Sequence, residues 1–274
     1  MLYFGFMGKN ALERNIAIHN RIAKRYESIH GEIYNDIEQS RLRLSLGDAI
    51  NAVSTGSEKL LALDFGCGAG NLTNHLADLG CNVIAADIST GFLSLVGSRS
   101  YRNTVSTLQL NGVDLSNVPS ESVDIVAMYS VLHHVPDYLS MIGEFSRVLK
   151  KGGVLYIDHE ASEAVWTSPD YRVFREEMGE ASGVDWRKYF HITNYIDRLI
   201  RMFINPKYQR EGDVHVFPDD HIEWDAIRVE LSRHGMKVVE EQDYLLFRRG
   251  YNTDVFNDWK GRLGDMHLLV GRKI

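Results

Sequence analysis

The stretch Asp64-Phe65-Gly66-Cys67-Gly68-Ala69-Gly70 decides how this chain is read. It continues Leu60-Leu61-Ala62-Leu63, a continuously apolar run of the kind that forms a strand buried on both faces. It leads into Asn71 to Leu79, where Leu72, Leu76 and Leu79 recur on one face of a helix. Glycines at such a turn let the backbone bend tightly and let a ligand approach the main chain without meeting a Cβ. The spacing is G-x-G-x-G, preceded by an acid. The dinucleotide fingerprint G-x-G-x-x-G requires glycine at position 71, where this chain has Asn71.

Working outward, the alternation of strand and helix continues. Asn82 to Asp87 reads as the second strand, and Ser89 to Val96 as a helix with Ser89 as its N-cap. Val105 to Asn111 and Val123 to Tyr129 read as the third and fourth strands, and Pro136 to Leu149 as a helix stopped by Lys150-Lys151-Gly152-Gly153. Val154 to Asp158 is the fifth strand. This order predicts an α/β fold: a doubly wound, mostly parallel seven-stranded sheet with helices on both faces. Residues 58–159 and 220–274 form that core. Within its second part, His221 to His234 reads as a helix, Met236 to Phe247 as a strand, Arg248 to Asp265 as a polar loop and Met266 to Gly271 as the last strand. Residues 1–57 read as an N-terminal helical segment, broken near His30-Gly31. Residues 160–219 are rich in aromatics, Trp166, Tyr171, Phe174 and Trp186 among them, and are too long for a structureless loop. They are expected to be an inserted helical cap over the substrate.

The bulk properties exclude several classes. The chain has 274 residues, 44% of them hydrophobic, and a formal net charge of −7, without the basic stripe that a nucleic-acid binder uses to neutralise phosphates. Two cysteines, Cys67 and Cys81, make no disulfide framework, which suits a reducing compartment. No run approaches the length of a membrane span, and the apolar start is too short for a signal peptide. A cytoplasmic protein without a membrane partner, monomeric or homodimeric, is expected.

Asp87 ends the second strand, twenty-three positions after Asp64. A carboxylate there can accept from both hydroxyls of a ribose, a contact that serves any nucleoside cofactor. Ile88 would lie against the base. A third acid, Asp114, follows the third strand in Asn111-Gly112-Val113-Asp114-Leu115. Taken together, Asp64-Phe-Gly66-Cys-Gly68-Ala-Gly70 and the acids at successive strand ends resemble the class I, Rossmann-like S-adenosylmethionine-dependent methyltransferases over roughly residues 60 to 158. The resemblance implies S-adenosylmethionine as cofactor, with Asp64, Gly66, Gly68 and Gly70 against its methionine part. It further implies Asp87 and Ile88 at the ribose and adenine, Asp114 with Leu115 at the adenine amino group, and Ser130 and His133 beside the methyl-bearing end. A residue matching Tyr26 touches the cofactor carboxylate in similar enzymes.

Tyr129-Ser130-Val131-Leu132-His133-His134-Val135-Pro136 is similar to the corresponding stretch of small-molecule methyltransferases, including those of quinone biosynthesis. A histidine at this strand tip is a candidate general base near neutral pH; the alternative is packing on the cofactor or capping of the next helix. His134 is the first candidate, followed by His159, in Asp158-His159-Glu160 after the fifth strand, and by His30. His159, Asp219, Asp220 and His221 are metal-ligand residue types that a folded-back cap would bring together, but no spacing demands a metal site, and none is expected. The Asp/Asn-Pro-Pro-aromatic motif of adenine-N6 methylases is absent after the fourth strand. The reading is therefore methyl transfer to a small-molecule oxygen or nitrogen. A methyltransferase acting on protein or RNA, a silent cofactor-binding partner subunit and a nicotinamide oxidoreductase stand as rivals.

Overall fold

The computed structural model describes Asn20, residues 32–182 and residues 221–274. Seven strands form one sheet in the order β3-β2-β1-β4-β5-β7-β6. They are β1 (Leu61–Phe65), β2 (Asn82–Asp87), β3 (Val105–Gln109), β4 (Val123–Tyr129), β5 (Leu149–Ala161), β6 (Met236–Tyr244) and β7 (Met266–Lys273). The pairs β1–β2, β2–β3, β1–β4 and β4–β5 are parallel, and β7 runs antiparallel to both β5 and β6. The strand order reverses between β1 and β4, so the carboxyl ends of these strands open the crevice where such sheets bind ligands.

Helices α1 (Asp36–Asn51), α2 (Asn71–Asp78), α3 (Thr90–Gly97) and α4 (Tyr138–Val148) lie in the first part of the chain. Each of α1, α3 and α4 begins on a side-chain cap: Asn35, Ser89 and Asp137 accept from the backbone N–H of Glu38, Phe92 and Ser140. Helices α5 (Ala164–Thr167), α6 (Pro169–Ser182), α7 (Trp224–Arg233) and α8 (Thr253–Trp259) follow. Leu42 and Leu46 of α1 and Leu72 and Leu76 of α2 cover one face of the sheet. Ile142 and Phe145 of α4, with Ile227 and Leu231 of α7, cover the other.

The expected strands and helices of the sheet core are present, and three differences have physical causes. β5 continues through Asp158-His159-Glu160 to Ala161, because its polar end pairs with β7, Glu160 opposite His267 and Ala161 opposite Met266. The register shifts between Ile157 and Glu160, a bulge that places His159 at φ 62°. The segment Arg248 to Asp265, expected as loop, contains α8. Asn252 caps it by accepting from Asp254 and Val255, while Phe256 and Trp259 are buried. The start of the expected cap is a small core of its own: Phe174 and Met178 of α6 pack with Phe256, Trp259 and Leu263. Its described aromatics are therefore used in packing, and Trp186 and the rest lie outside the described residues. No described helix is long and apolar enough to cross a membrane.

Candidate functional site

The glycine turn connects β1 to α2. Gly66, Gly68 and Gly70 all have positive φ, at 72°, 49° and 86°, but their surroundings differ. A Cβ on Gly66 would lie 2.7 Å from the Val131 side chain, and one on Gly70 would lie 3.1 Å from Val96. Those two glycines permit close packing. Among the described residues a Cβ on Gly68 would meet no atom within 4 Å, so on their side the main chain of the turn is left open to a ligand.

Asp87 ends β2 and is buried. Its carboxylate accepts from the Gly68 N–H at 2.9 Å and the Ser89 N–H at 2.7 Å, tying the glycine turn to the start of α3. Asn20 joins this corner, its Oδ1 accepting from the Ser89 hydroxyl at 2.7 Å and the Gly91 N–H at 2.8 Å. Asp64 lies deeper, accepting at 2.5 Å from the Thr73 hydroxyl on α2. Burial pushes its carboxyl up to about 7 against that hydrogen bond, and the Asp87 charge adds to the rise. Asp64 thus braces the turn from within the fold. Ile88 is half-buried beside Asp87.

Asp114 sits in the turn after β3, its carboxylate accepting from the Asn111 side chain at 2.7 Å and the Ser116 N–H at 3.0 Å. These hydrogen bonds draw it down to about 2. Leu115 is buried, and its backbone is clamped from α4: its N–H donates to Glu144, and Arg147 donates to its carbonyl.

At the tip of β4, Ser130 has φ 59°, and its N–H donates to the Asp158 carbonyl of β5 at 2.9 Å. The Glu160 carboxylate accepts from the N–H groups of Val131 and Leu132, each at 2.7 Å, and pairs with His133 Nδ1 at 2.8 Å. One carboxylate thus sets the turn that carries Ser130, His133 and His134. The two imidazoles are adjacent, with ring centres 3.9 Å apart.

Behind His159 lies a buried polar cluster drawn from four elements. Asp158 accepts from Arg41 (2.9 Å), Tyr156 (2.5 Å), Tyr244 (3.0 Å) and the His159 N–H (2.7 Å). Glu38 accepts from Arg41 Nε (3.0 Å) and the Tyr129 hydroxyl (2.9 Å). The Arg41 guanidinium lies 3.7 Å over the Tyr244 ring, and Tyr129 stacks on His159 with centroids 4.4 Å apart. Burial first, and the neighbouring carboxylates second, push the phenols of Tyr129, Tyr156 and Tyr244 well above their ordinary range, so all three remain donors. Burial likewise raises the Glu38 carboxyl, opposed by Arg41.

Of the residues expected from sequence, Asp64, Gly66, Gly68, Gly70, Asp87, Ile88, Asp114, Leu115, Ser130, His133, His134 and His159 are distributed along the carboxyl edge of β1 to β5. Tyr26 and His30 lie outside the described residues, as do Asp219 and Asp220. His221 stacks on Trp166 at 4.5 Å, away from any metal cluster, and among the described residues no group of three His, Cys, Asp or Glu is placed to hold a metal ion. Sequence reasoning did not single out Glu38, Arg41 or Tyr244, and it met Glu160 only within Asp158-His159-Glu160, without its role in holding the β4 turn. A signal existed for Tyr156 and Asp158, which alternate onto one face of a strand, and for Glu38 and Arg41, which share a helix face.

Residues 63–157 match the family described as a methyltransferase domain. The ubiquinone biosynthesis O-methyltransferase of Methylococcus capsulatus is 31% identical over 97 residues, which is 35% of this chain and 41% of that protein. The Haemophilus ducreyi protein of the same name is 34% identical over 104 residues, covering 35% of this chain and 43% of that one. The chain thus spans less than half the length of these relatives. The fold is shared more widely. An S-adenosylmethionine-dependent methyltransferase from Mesorhizobium loti superimposes with a TM-score of 0.54 at 15% identity, over 82% of this chain and 96% of that one. The complex of the Haloferax volcanii Trm112 methyltransferase activator with a candidate methyltransferase gives 0.57 at 16% identity, over 93% of this chain and 96% of that one.

Proposed function

With residues 63–157 forming a methyltransferase domain in the class I fold, we propose that this protein moves a methyl group from S-adenosylmethionine to an oxygen of a small-molecule acceptor. The observation that carries the reading is the Gly68–Asp87 corner at the switch point of the sheet. Among the described residues nothing would meet a Cβ on Gly68, and its N–H is tied to a buried carboxylate at the end of β2. Each carboxylate oxygen has two lone pairs, so an oxygen held by a backbone N–H still accepts from a ribose hydroxyl in a second direction. The residues fit the cofactor: Asp87 for the ribose, Ile88 as an apolar wall for the adenine, Asp114 for its amino group, and the Gly66–Gly70 turn for the methionine end, while Leu115 anchors the Asp114 turn in the core.

When bound, the cofactor supplies an electrophilic methyl on a sulfonium, whose charge is lost as the methyl leaves. The chain's own work is to hold acceptor and methyl in line in a dry pocket and to take the acceptor's proton. Ser130, His133 and His134 flank the place where the methyl is expected, fixed by Glu160. His134, His159 and His30 are the base candidates. The segments 1–57 and 160–219 are proposed to cover the cofactor and the acceptor, and the contact of Asn20 with Ser89 and Gly91 supports the first assignment. The relatives named for ubiquinone biosynthesis favour a small-molecule acceptor over protein or RNA. A cytoplasmic monomer or homodimer completes the proposal.

Calorimetric titration with S-adenosylmethionine and S-adenosylhomocysteine tests it. Saturable micromolar binding, lost in Asp87→Ala, is the expected result. An Asp87→Ala variant that stays folded and binds either nucleoside as tightly as the parent would remove the basis of the assignment.

A further inference from the structure

Glu160 lies in the polar end of β5 and is 1% exposed. Its Oε1 accepts from the N–H groups of Val131 and Leu132, and its Oε2 pairs with His133 Nδ1. A neutral amide of the same shape offers an oxygen to the same two N–H groups and a nitrogen to the imidazole. A buried carboxylate is far harder to remove from water than that amide. Among the described residues no lysine or arginine pairs with Glu160, and its ion-pair partner is His133. Arg41, the guanidinium of the neighbouring cluster, is taken by Glu38 and Asp158. Holding the β4 turn therefore accounts for the hydrogen bonds of Glu160 but not for its charge.

The carboxylate is placed where two turns of the crevice meet. Val131 donates its N–H to Glu160 at 2.7 Å, while its side chain packs on the glycine turn, where a Cβ on Gly66 would lie 2.7 Å from it. Ser130, at φ 59°, directly precedes Val131. One carbonyl carbon separates Ser130 Cα from the Val131 nitrogen, so Glu160 Oε1 lies within about 5 Å of the Ser130 backbone. In the methyl-transfer reading, Gly66 to Gly70 hold the methionine end of the cofactor, and Ser130 and His133 flank its methyl group. The charge stands behind both.

Resting on that reading, we propose that Glu160 is a specificity-determining residue whose charge favours the sulfonium of S-adenosylmethionine over the thioether of S-adenosylhomocysteine. The two nucleosides share adenine, ribose and amino-acid groups, so contacts to those parts cancel in the ratio of their affinities. They differ by one methyl group and one positive charge. Methyl transfer removes that charge, and the product is then held without the contribution of Glu160. The residue acts through its field and exchanges no proton. It thereby favours retention of the donor and release of the product.

The test is calorimetric titration of the full chain with each nucleoside at pH 8, read as the ratio of the two dissociation constants. A variant that lowers the binding-competent fraction raises both apparent constants by the same factor, so a merely structural loss leaves the ratio unmoved. Glu160→Gln keeps an acceptor for Val131 and Leu132 and removes the charge. Its ratio is expected to shift about tenfold toward S-adenosylhomocysteine, the scale of one charge–charge interaction across several ångströms of protein. Glu160→Asp keeps the charge and should stay within about threefold of the parent ratio. Asp87→Asn removes a charge beside the ribose, which both nucleosides carry, and should weaken both while holding the ratio within about twofold. Sinefungin, which bears an ammonium group where the sulfonium stands, should lose affinity in Glu160→Gln together with S-adenosylmethionine. An unchanged ratio in Glu160→Gln, a Glu160→Asp variant that behaves as Glu160→Gln does, or an equal shift in Asp87→Asn overturns the proposal and leaves the cofactor assignment standing. Absence of binding of both nucleosides to the parent overturns the methyl-transfer reading, and this proposal with it.

Discussion

The two halves of the crevice are held by different means. On the β1–β2 side the proposed ligand surface is main chain: a glycine turn, an N–H tied to Asp87 and a helix start, contributed by residues 64–91. On the β4–β5 side it rests on side chains from α1, β4, β5 and β6, with Glu38 and Tyr244 more than two hundred positions apart in the chain. The first half depends on local conformation and the second on tertiary packing. The same kind of substitution should therefore have different consequences in each.

The largest expected effect is on the packed side. Arg41 is the guanidinium between Glu38 and Asp158. Arg41→Ala leaves both carboxylates buried without it, a loss of about 3–5 kcal/mol. For a chain of this size that amounts to about 10 °C in Tm by scanning calorimetry. A fall of less than about 2 °C would mean that water enters the cluster freely, and the contrast between the halves would fail.

This division also explains what the sequence disclosed. The β1 turn, the acids at the strand ends and the Ser89 cap are local features, because a strand, a glycine pattern and a cap each occupy a few consecutive residues. The sequence pattern ends the fifth strand at Asp158, since the polar His159-Glu160 breaks the apolar run that marks a buried strand, whereas β5 continues to Ala161. The burial of this polar end depends on α1, β6 and β7, which no local window contains. Helix α8 was missed for a related reason: only Phe256 and Trp259 of its seven residues are buried, too few for a visible period. Glu160 shows the same limit, because its three donors come from Val131, Leu132 and His133 across the β4–β5 pair.

On the main-chain side, Asp87→Ala should weaken S-adenosylhomocysteine binding by about 100-fold, the loss of charge-assisted hydrogen bonds to the ribose. Asp87→Asn sharpens the comparison, since it retains an acceptor while losing the charge. About tenfold weakening is expected from calorimetry. Equal effects of Ala and Asn would show that the charge, not the hydrogen-bond geometry, governs the contact.

Asp64 tests the bracing behind that surface. Its folded carboxyl is raised to about 7 by burial, so between the ordinary carboxylate range and 7 the folded state binds a proton that the unfolded chain has released. Its contribution is full at low pH and is lost as pH rises through 7. The Asp64→Asn variant keeps an acceptor for Thr73 without the titration. Urea unfolding at pH 5 and pH 8 should show a smaller decline for Asp64→Asn than for the parent. Parallel declines would move the titration to other groups.

The smallest effect belongs to Asp114, which shares the sheet edge with Asp87 but is only half-buried. Its Asn111 and Ser116 hydrogen bonds hold it near 2, so it is ionised throughout the range in which the protein would be assayed. That sign gives stability present above the unfolded carboxylate range and lost only as pH falls through about 2. Solvent screens the charge, and water replaces a lost hydrogen bond readily there. Asp114→Ala should therefore lower S-adenosylhomocysteine affinity only about three- to tenfold, as one hydrogen bond does, with no pH dependence of the ratio between pH 5 and 9. A loss as large as that of Asp87→Ala would mean that the cofactor buries this turn, extending the packed character of the acceptor side to the adenine end.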